Sequence, residues 1–131
     1  MFHSFTAYGH PNISSEHKVS FEFTTDKFVT KTGDCIVGIK ASFELEKLKG
    51  LMKYKHIHIE LRCNGYTEII TAIPNPGFNS AHEIVVRKTD FLSERTLGIR
   101  SDKAASDFSP EFKKAIKEGN EIKIRIHEDT I

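Results

Sequence analysis

Tryptophan and glutamine are absent, and cysteine occurs only at Cys35 and Cys63. Two cysteines are too few to staple 131 residues, which excludes a disulfide scaffold and points to reduced thiols in the cytoplasm. No apolar run approaches the roughly 20 residues that a membrane helix needs. The opening MFHSFTAYGH has no basic leader, apolar block or cleavage pattern, so no signal peptide is read there. Charge of one sign is also missing, with Lys+Arg 19 against Asp+Glu 18. That balance argues against a dedicated duplex-DNA binder and leaves room for a local patch. No Walker-type or G-x-G-x-x-G loop is present, which argues against a classical nucleotide fold. The missing glutamine, with abundant Ile, Lys and Glu, has the compositional look of a thermophile.

What is present is an apolar content of 38% spread along the whole length, enough for one domain over 1–131 with one core. Alternation marks strands. In HKVSFEF, His17, Val19, Phe21 and Phe23 share one face, and Lys18, Ser20 and Glu22 the other. CIVGI, HIHIEL, YTEIITAI, HEIVVR, TLGI and EIKIRIHE read as further strands, with YTEIITAI stopping at Pro74. SFELEKLKGLMK reads as a helix with Leu45, Leu48 and Met52 on one stripe, Ser42 as N-cap and Gly50 as a weak point. SPEFKKAIKEG carries fuller signals: Ser109 as N-cap, Pro110 in first position, Glu111 at the positive end and Gly119 as the stop.

GDCIVGIKAS and LGIRSDKAAS share an apolar stretch, then Gly-Ile, a basic residue and a small residue. Setting His17 beside His82 aligns strand, strand, helix and strand in each half, with the strand phase in agreement. The expected fold is therefore α+β and mostly β: a strand-strand-helix-strand unit used twice, over approximately 17–65 and 82–129, about a pseudo-twofold axis. Two such units can close a small six-stranded barrel and remove exposed sheet edges. The Gly33-Asp34 pair before a second strand resembles the box of cradle-loop barrels, the group that includes double-psi barrels. That resemblance implies a positive φ at the glycine and an aspartate that pins the turn. The second copy departs from it with Glu94-Arg95-Thr96. A ferredoxin-like sandwich with added strands is the runner-up architecture.

Gly9-His10, His17, Gly33-Asp34-Cys35, Asn75-Pro76-Gly77-Phe78 and SDKAA are the more particular parts of a pattern covering nearly the whole chain. On these the sequence resembles an archaeal family known as domain of unknown function 371. The resemblance implies an archaeal source and brings no activity or ligand.

Three groups of residues could do chemistry. Cys35 with His17 or His10 could form a nucleophile–base pair, oriented by Asp34 or Asn12, in a small hydrolase or transferase. The plain alternative makes Cys35 a small core residue and His17 a strand-end histidine bonded to backbone. His56 and His58, with Glu60 or His127, could hold zinc, against a solvated strand face as the alternative. No other cofactor is expected. Arg100, Asp102 and Lys103 stand at the entry of an expected helical segment, where N–H groups attract phosphate or carboxylate, with Arg87, Lys88 and Arg95 as possible neighbours. With Asn12, Asn75, Gly77 and Phe78 they would form the loops of a barrel mouth. Capping by Asp102 and solvated cations are the alternative there. Phe2, Phe5, Tyr8, Tyr54, Tyr66 and Phe78 flank turns or edges and could stack bases. The leading expectation is a binding module for an anionic ligand: a nucleotide, phosphate or single-stranded RNA, with no membrane partner and a homodimer left open. A Cys35 enzyme and a structural or interaction protein are the alternatives.

Overall fold

The computed structural model describes residues 1–129. It is α+β and mostly β, with strands β1 (Phe2–Tyr8), β2 (Ser20–Thr24), β3 (Ile36–Gly38), β4 (Ile57–Cys63), β5 (Tyr66–Pro74), β6 (Glu83–Arg87), β7 (Thr96–Ile99) and β8 (Glu121–Glu128). Helix α1 spans Leu45–Lys49 and α2 spans Pro110–Lys117. The strands form one sheet in the order β1-β8-β4-β5-β7-β6-β2-β3.

The six-stranded closed barrel expected from the repeats is not what forms. There are eight strands, and the ladder does not run on from β3 to β1; an isolated bridge, Tyr8↔Ile39, joins the ends. The strand missing from the sequence reading is β1. Its inward positions begin with a histidine, His3, and its outward ones with Phe2, so the usual apolar-in pattern is inverted at the start. Phe5 and Ala7 then point into the core with Phe21, Phe23, Ile59, Leu61, Phe108, Phe112, Ile124 and Ile126.

Local signals explain most elements. Asn64 (φ 50) and Gly65 (φ 85) make the two-residue turn that fixes the β4–β5 hairpin, the usual pair where both central residues need positive φ. In α2, Ser109 accepts the N–H of Phe112 at 3.1 Å and Pro110 takes the first position. Gly119, at φ +84, follows its end. Helix α1 is shorter than its apolar stripe suggests, and Ser42 does not cap it. The Ser42 hydroxyl accepts the N–H of Thr6 at 3.1 Å instead. Gly9 must be glycine for space, because a Cβ there would lie 1.9 Å from the Ile116 carbonyl oxygen at the end of α2.

Strands β2 and β6 pair antiparallel at the middle of their half of the sheet, Glu22 opposite Val85. Strand β3 runs parallel to β2 and β7 parallel to β6, with a register shift at Glu22/Phe23 and at Val85/Val86. The hydrogen bonds around them recur. Glu22 N–H donates to Cys35 and Val85 N–H to Arg95, at 2.8 and 2.9 Å. Lys40 and Arg100 both have positive φ, 53 and 50, and their N–H groups donate to Asp26 and Thr89. These bonds pair position 22 with 85 and 26 with 89, two residues away from the His17–His82 alignment but with the same parity. All five β2 residues are buried, so Ser20 and Glu22 are not the solvent face that alternation suggests.

Candidate functional site

The loops expected to carry a ligand use their polar atoms on themselves. Asn12 donates to the Val29 carbonyl, and Asn75 donates to those of Ser93 and Thr96. Asn75 also accepts the N–H of Gly77. Phe78 is 1% exposed and belongs to the core. Asp102 accepts the Thr71 N–H of β5 at 3.0 Å, so it caps no helix; Asp107 accepts the Ala104 N–H at 2.9 Å instead. The segment at its entry is a short 3-10 turn, Ala105–Asp107, not an α-helix. Four of the five cations are already paired: Arg100 with Asp90 at 2.5 Å, Lys103 with Glu68 at 2.8 Å, Lys88 with Asp107 at 2.7 Å and Arg95 with Glu83 at 3.2 Å; Arg87 donates to the Thr96 hydroxyl at 2.9 Å and lies over the Phe91 ring.

Cys35 lies beside a carboxyl group. Its Sγ–H donates to Glu22 Oε1 at 3.7 Å. The imidazoles have other partners: His10 Nδ1 accepts the Asn12 N–H, and His17 Nδ1 accepts that of Ser20. Burial, with the charges of Glu22 and Asp34, pushes the Cys35 thiol up to about 11, so it stays protonated at neutral pH and is a poor nucleophile. Gly33 lacks the positive φ that the barrel box implies. Its turn is held by backbone bonds from Gly33 to Thr30 and from Ile36 to Gly33, and Asp34 is exposed.

Glu22, missed from the sequence, is 5% exposed. It sits where the crossover loops 25–35 and 88–95 end, with Arg95 Nη1 at 3.9 Å. Burial and a hydrogen bond with Glu83 raise its pKa to about 7, while Glu83 keeps its charge through Glu22 and Arg95. Of the two carboxyls beside this guanidinium, Glu22 is therefore the one that binds a proton more tightly. Alternation hid this residue by placing it on a polar face that the loops in fact cover.

The His58 ring lies tilted against that of His127 with centroids 5.3 Å apart, and its Nδ1 bonds to the Thr71 hydroxyl. His58 Nε2 lies 3.6 Å from Asp129. His56 precedes β4 and is exposed. Among the described residues, no group of three or more His, Cys, Asp or Glu side chains is placed to hold a metal ion.

The outer face of β1, β8, β4 and β5 is organised in rows by the strand register. One row is Phe2, His127, His58 and Thr71; the next is Ser4, Arg125, Glu60 and Ile69; the third is Thr6, Lys123, Arg62 and Thr67. A groove of about 440 Å³ lies over the second and third rows, lined by Ser4, Thr6, Glu60, Arg62, Lys123 and Arg125. Arg62 bonds Glu60 at 2.9 Å, and the Arg125 guanidinium lies over the Phe2 ring at 4.3 Å. Among the described residues, Lys123 and Arg125 have no carboxylate partner. Lys123 stands directly opposite Arg62, a like-charge pairing that costs stability unless an anion relieves it.

A family model described as Domain of unknown function (DUF371) matches residues 5–129. The chain belongs to this family. An uncharacterised protein of Methanocaldococcus jannaschii is 34% identical over 127 residues, covering 92% of this chain and 94% of its own length. In this DUF371 chain the groove cations come from EIKIRIHE and HIHIELR, strands whose polar face reads from sequence as ordinary solvent exposure. What signals the groove is register, and register is invisible until β1 is recognised as a neighbour of β8. No helix among the described residues is long and apolar enough to cross a membrane.

Proposed function

We propose that the chain is a binding module for an anionic ligand, held in the groove on the outer face of β1, β8 and β4. One observation carries this reading. Arg62, Lys123 and Arg125 face a single groove carboxylate, Glu60, while the cations at 88, 95, 100 and 103 are each held by a carboxylate. Unneutralised cations beside Ser4 and Thr6 hydroxyls suit a phosphate or carboxylate group. The groove volume lies within the range of small-ligand sites, about 300–1,000 Å³. Neither zinc nor another cofactor has a part in this reading, and the two free thiols, Cys35 and Cys63, favour the cytoplasm as its compartment.

Amide resonances titrated with inorganic phosphate test it. Shifts should cluster at Ser4–Thr6, Glu60–Arg62 and Lys123–Arg125, and the double variant Lys123→Ala, Arg125→Ala should abolish them. Shifts centred on Arg100–Lys103, or none, would overturn it.

The recurring bonds about β2 and β6 support a duplicated origin, with β1 and β5 added to the strand-strand-helix-strand unit. They favour reading the sheet as a distorted relative of the cradle-loop barrels, its ends drawn together at Tyr8 and Ile39. An enzyme reading has one supporting feature, the Glu22 and Glu83 carboxyls gathered on Arg95 with their proton affinities pushed apart, which is the kind of split carboxyl pair that acid–base catalysis uses. Its working residue would then be Glu22, with Cys35 only a neighbour.

A further inference from the structure

We propose that the groove's ligand is a phosphate monoester carrying an aromatic ring, of the nucleoside monophosphate class; this rests on the anion-binding reading above. Three features of the same face select it. The first is charge. Three cations against one carboxylate leave the groove with a surplus of two positive charges, and a phosphate monoester carries about −1.5 to −2 at neutral pH. A phosphodiester carries less per phosphate and would match the groove only by continuing past it.

The second is what bounds the groove. On one side the next row holds Glu121, which lines an adjoining cavity of about 470 Å³ with Arg62, Asn64, Asn120 and Lys123. A carboxylate there repels a polyanion that tries to run on. Its partner Tyr8 donates to it at a long 3.4 Å, which leaves the charge in place. The third is the opposite boundary, the row of Phe2, His127 and His58. Phe2 is 56% exposed, and the guanidinium of Arg125 lies over its ring at 4.3 Å, close enough to pair with it. Rows are two residues apart along each strand, about 7 Å. A phosphate on Lys123 and Arg62 therefore leaves an attached ring one row on, over Arg125, whose guanidinium lies against Phe2. Ser4 and Thr6 supply hydroxyls along the path between them.

Calorimetric titration of the full chain with inorganic phosphate, adenosine monophosphate and an oligoadenylate tests the proposal, with Phe2→Ala as the control. Base stacking contributes about 1–3 kcal/mol, so the monophosphate should bind about 5- to 150-fold tighter than phosphate. Phe2→Ala should close most of that gap. Equal affinity for phosphate and adenosine monophosphate would overturn the aromatic ligand and leave the anion site standing. Tighter binding of the oligoadenylate than of the monophosphate would overturn it in favour of a single-stranded polymer. Failure of all three to bind would remove the anion site as well.

Discussion

The turn after β1 and the turn after β5 close in the same way. Ile13 N–H donates to His10 and Phe78 N–H to Asn75, both at 3.0 Å. Within them Asn12 N–H donates to His10 Nδ1 and Gly77 N–H to Asn75 Oδ1. Further along, Thr6 N–H is met by Ser42 and Thr71 N–H by Asp102. The two regions thus repeat a set of backbone bonds and satisfy them with different side chains. Where the sequence of one half must differ, the reason lies in what the other half places against it: Gly9 touches the end of α2, whereas Pro74, four residues before the buried Phe78, ends β5 opposite Gly98. The repeated bonds hold the frame, and the unrepeated residues, Glu22 against Val85 and Cys35 against Arg95, are where distinct chemistry collects.

The largest effect that separates the regions is expected at these turns. Gly9→Ala should cost about 3 kcal/mol, because the helix end must move to admit the Cβ. Pro74→Ala should cost about 1 kcal/mol or less. Urea midpoints of the two variants measure the contrast, and equal losses would break it.

Next comes the pH response of the central pair. Glu22 binds its proton more tightly folded than unfolded, since its pKa rises from 4.5 to about 7. That contribution is complete below about pH 4.5 and is lost as pH rises through about 7, with a slope of at most about 1.4 kcal/mol per pH unit. Glu22→Gln should flatten stability across this window, while Val85, its cross-strand partner, offers no titrating group. Parallel slopes in the wild type and Glu22→Gln would show that Glu22 is ionised throughout.

The smallest effect sharpens the likeness instead. Ser42→Ala and Asp102→Ala each remove one bond to an equivalent backbone N–H, and each should cost about 0.5–1 kcal/mol in thermal melts. Both side chains are exposed, so water compensates in part. A loss confined to one of them would mean that the two bonds are not counterparts.

Much of the frame was legible because period and punctuation are local. Ser109 and Pro110 start α2 where expected, and the strands from HIHIEL, YTEIITAI and EIKIRIHE form as read. The Gly-Ile-basic-small tag marked two segments that share an unusual φ at Lys40 and Arg100. The site was much less legible. Glu22 looks solvated until the crossover loops are laid over β2, and Lys123 looks ordinary until Arg62 is found opposite it. Both depend on neighbours distant in sequence, and alternation along one strand carries no information about them. The histidines attracted attention through their reactivity as a residue type, yet His10 and His17 accept backbone N–H bonds.

The strip from Ile39 to Glu44 leaves β3 and runs along the flank of β1. Ile39 exchanges bonds with Tyr8, Ser42 with Thr6, and Glu44 N–H donates to His3 Nε2. An outermost strand with free amides is a template on which another molecule can polymerise. Here six residues act as a fitted selvedge, so a would-be fibril must first unpick the chain's own hem.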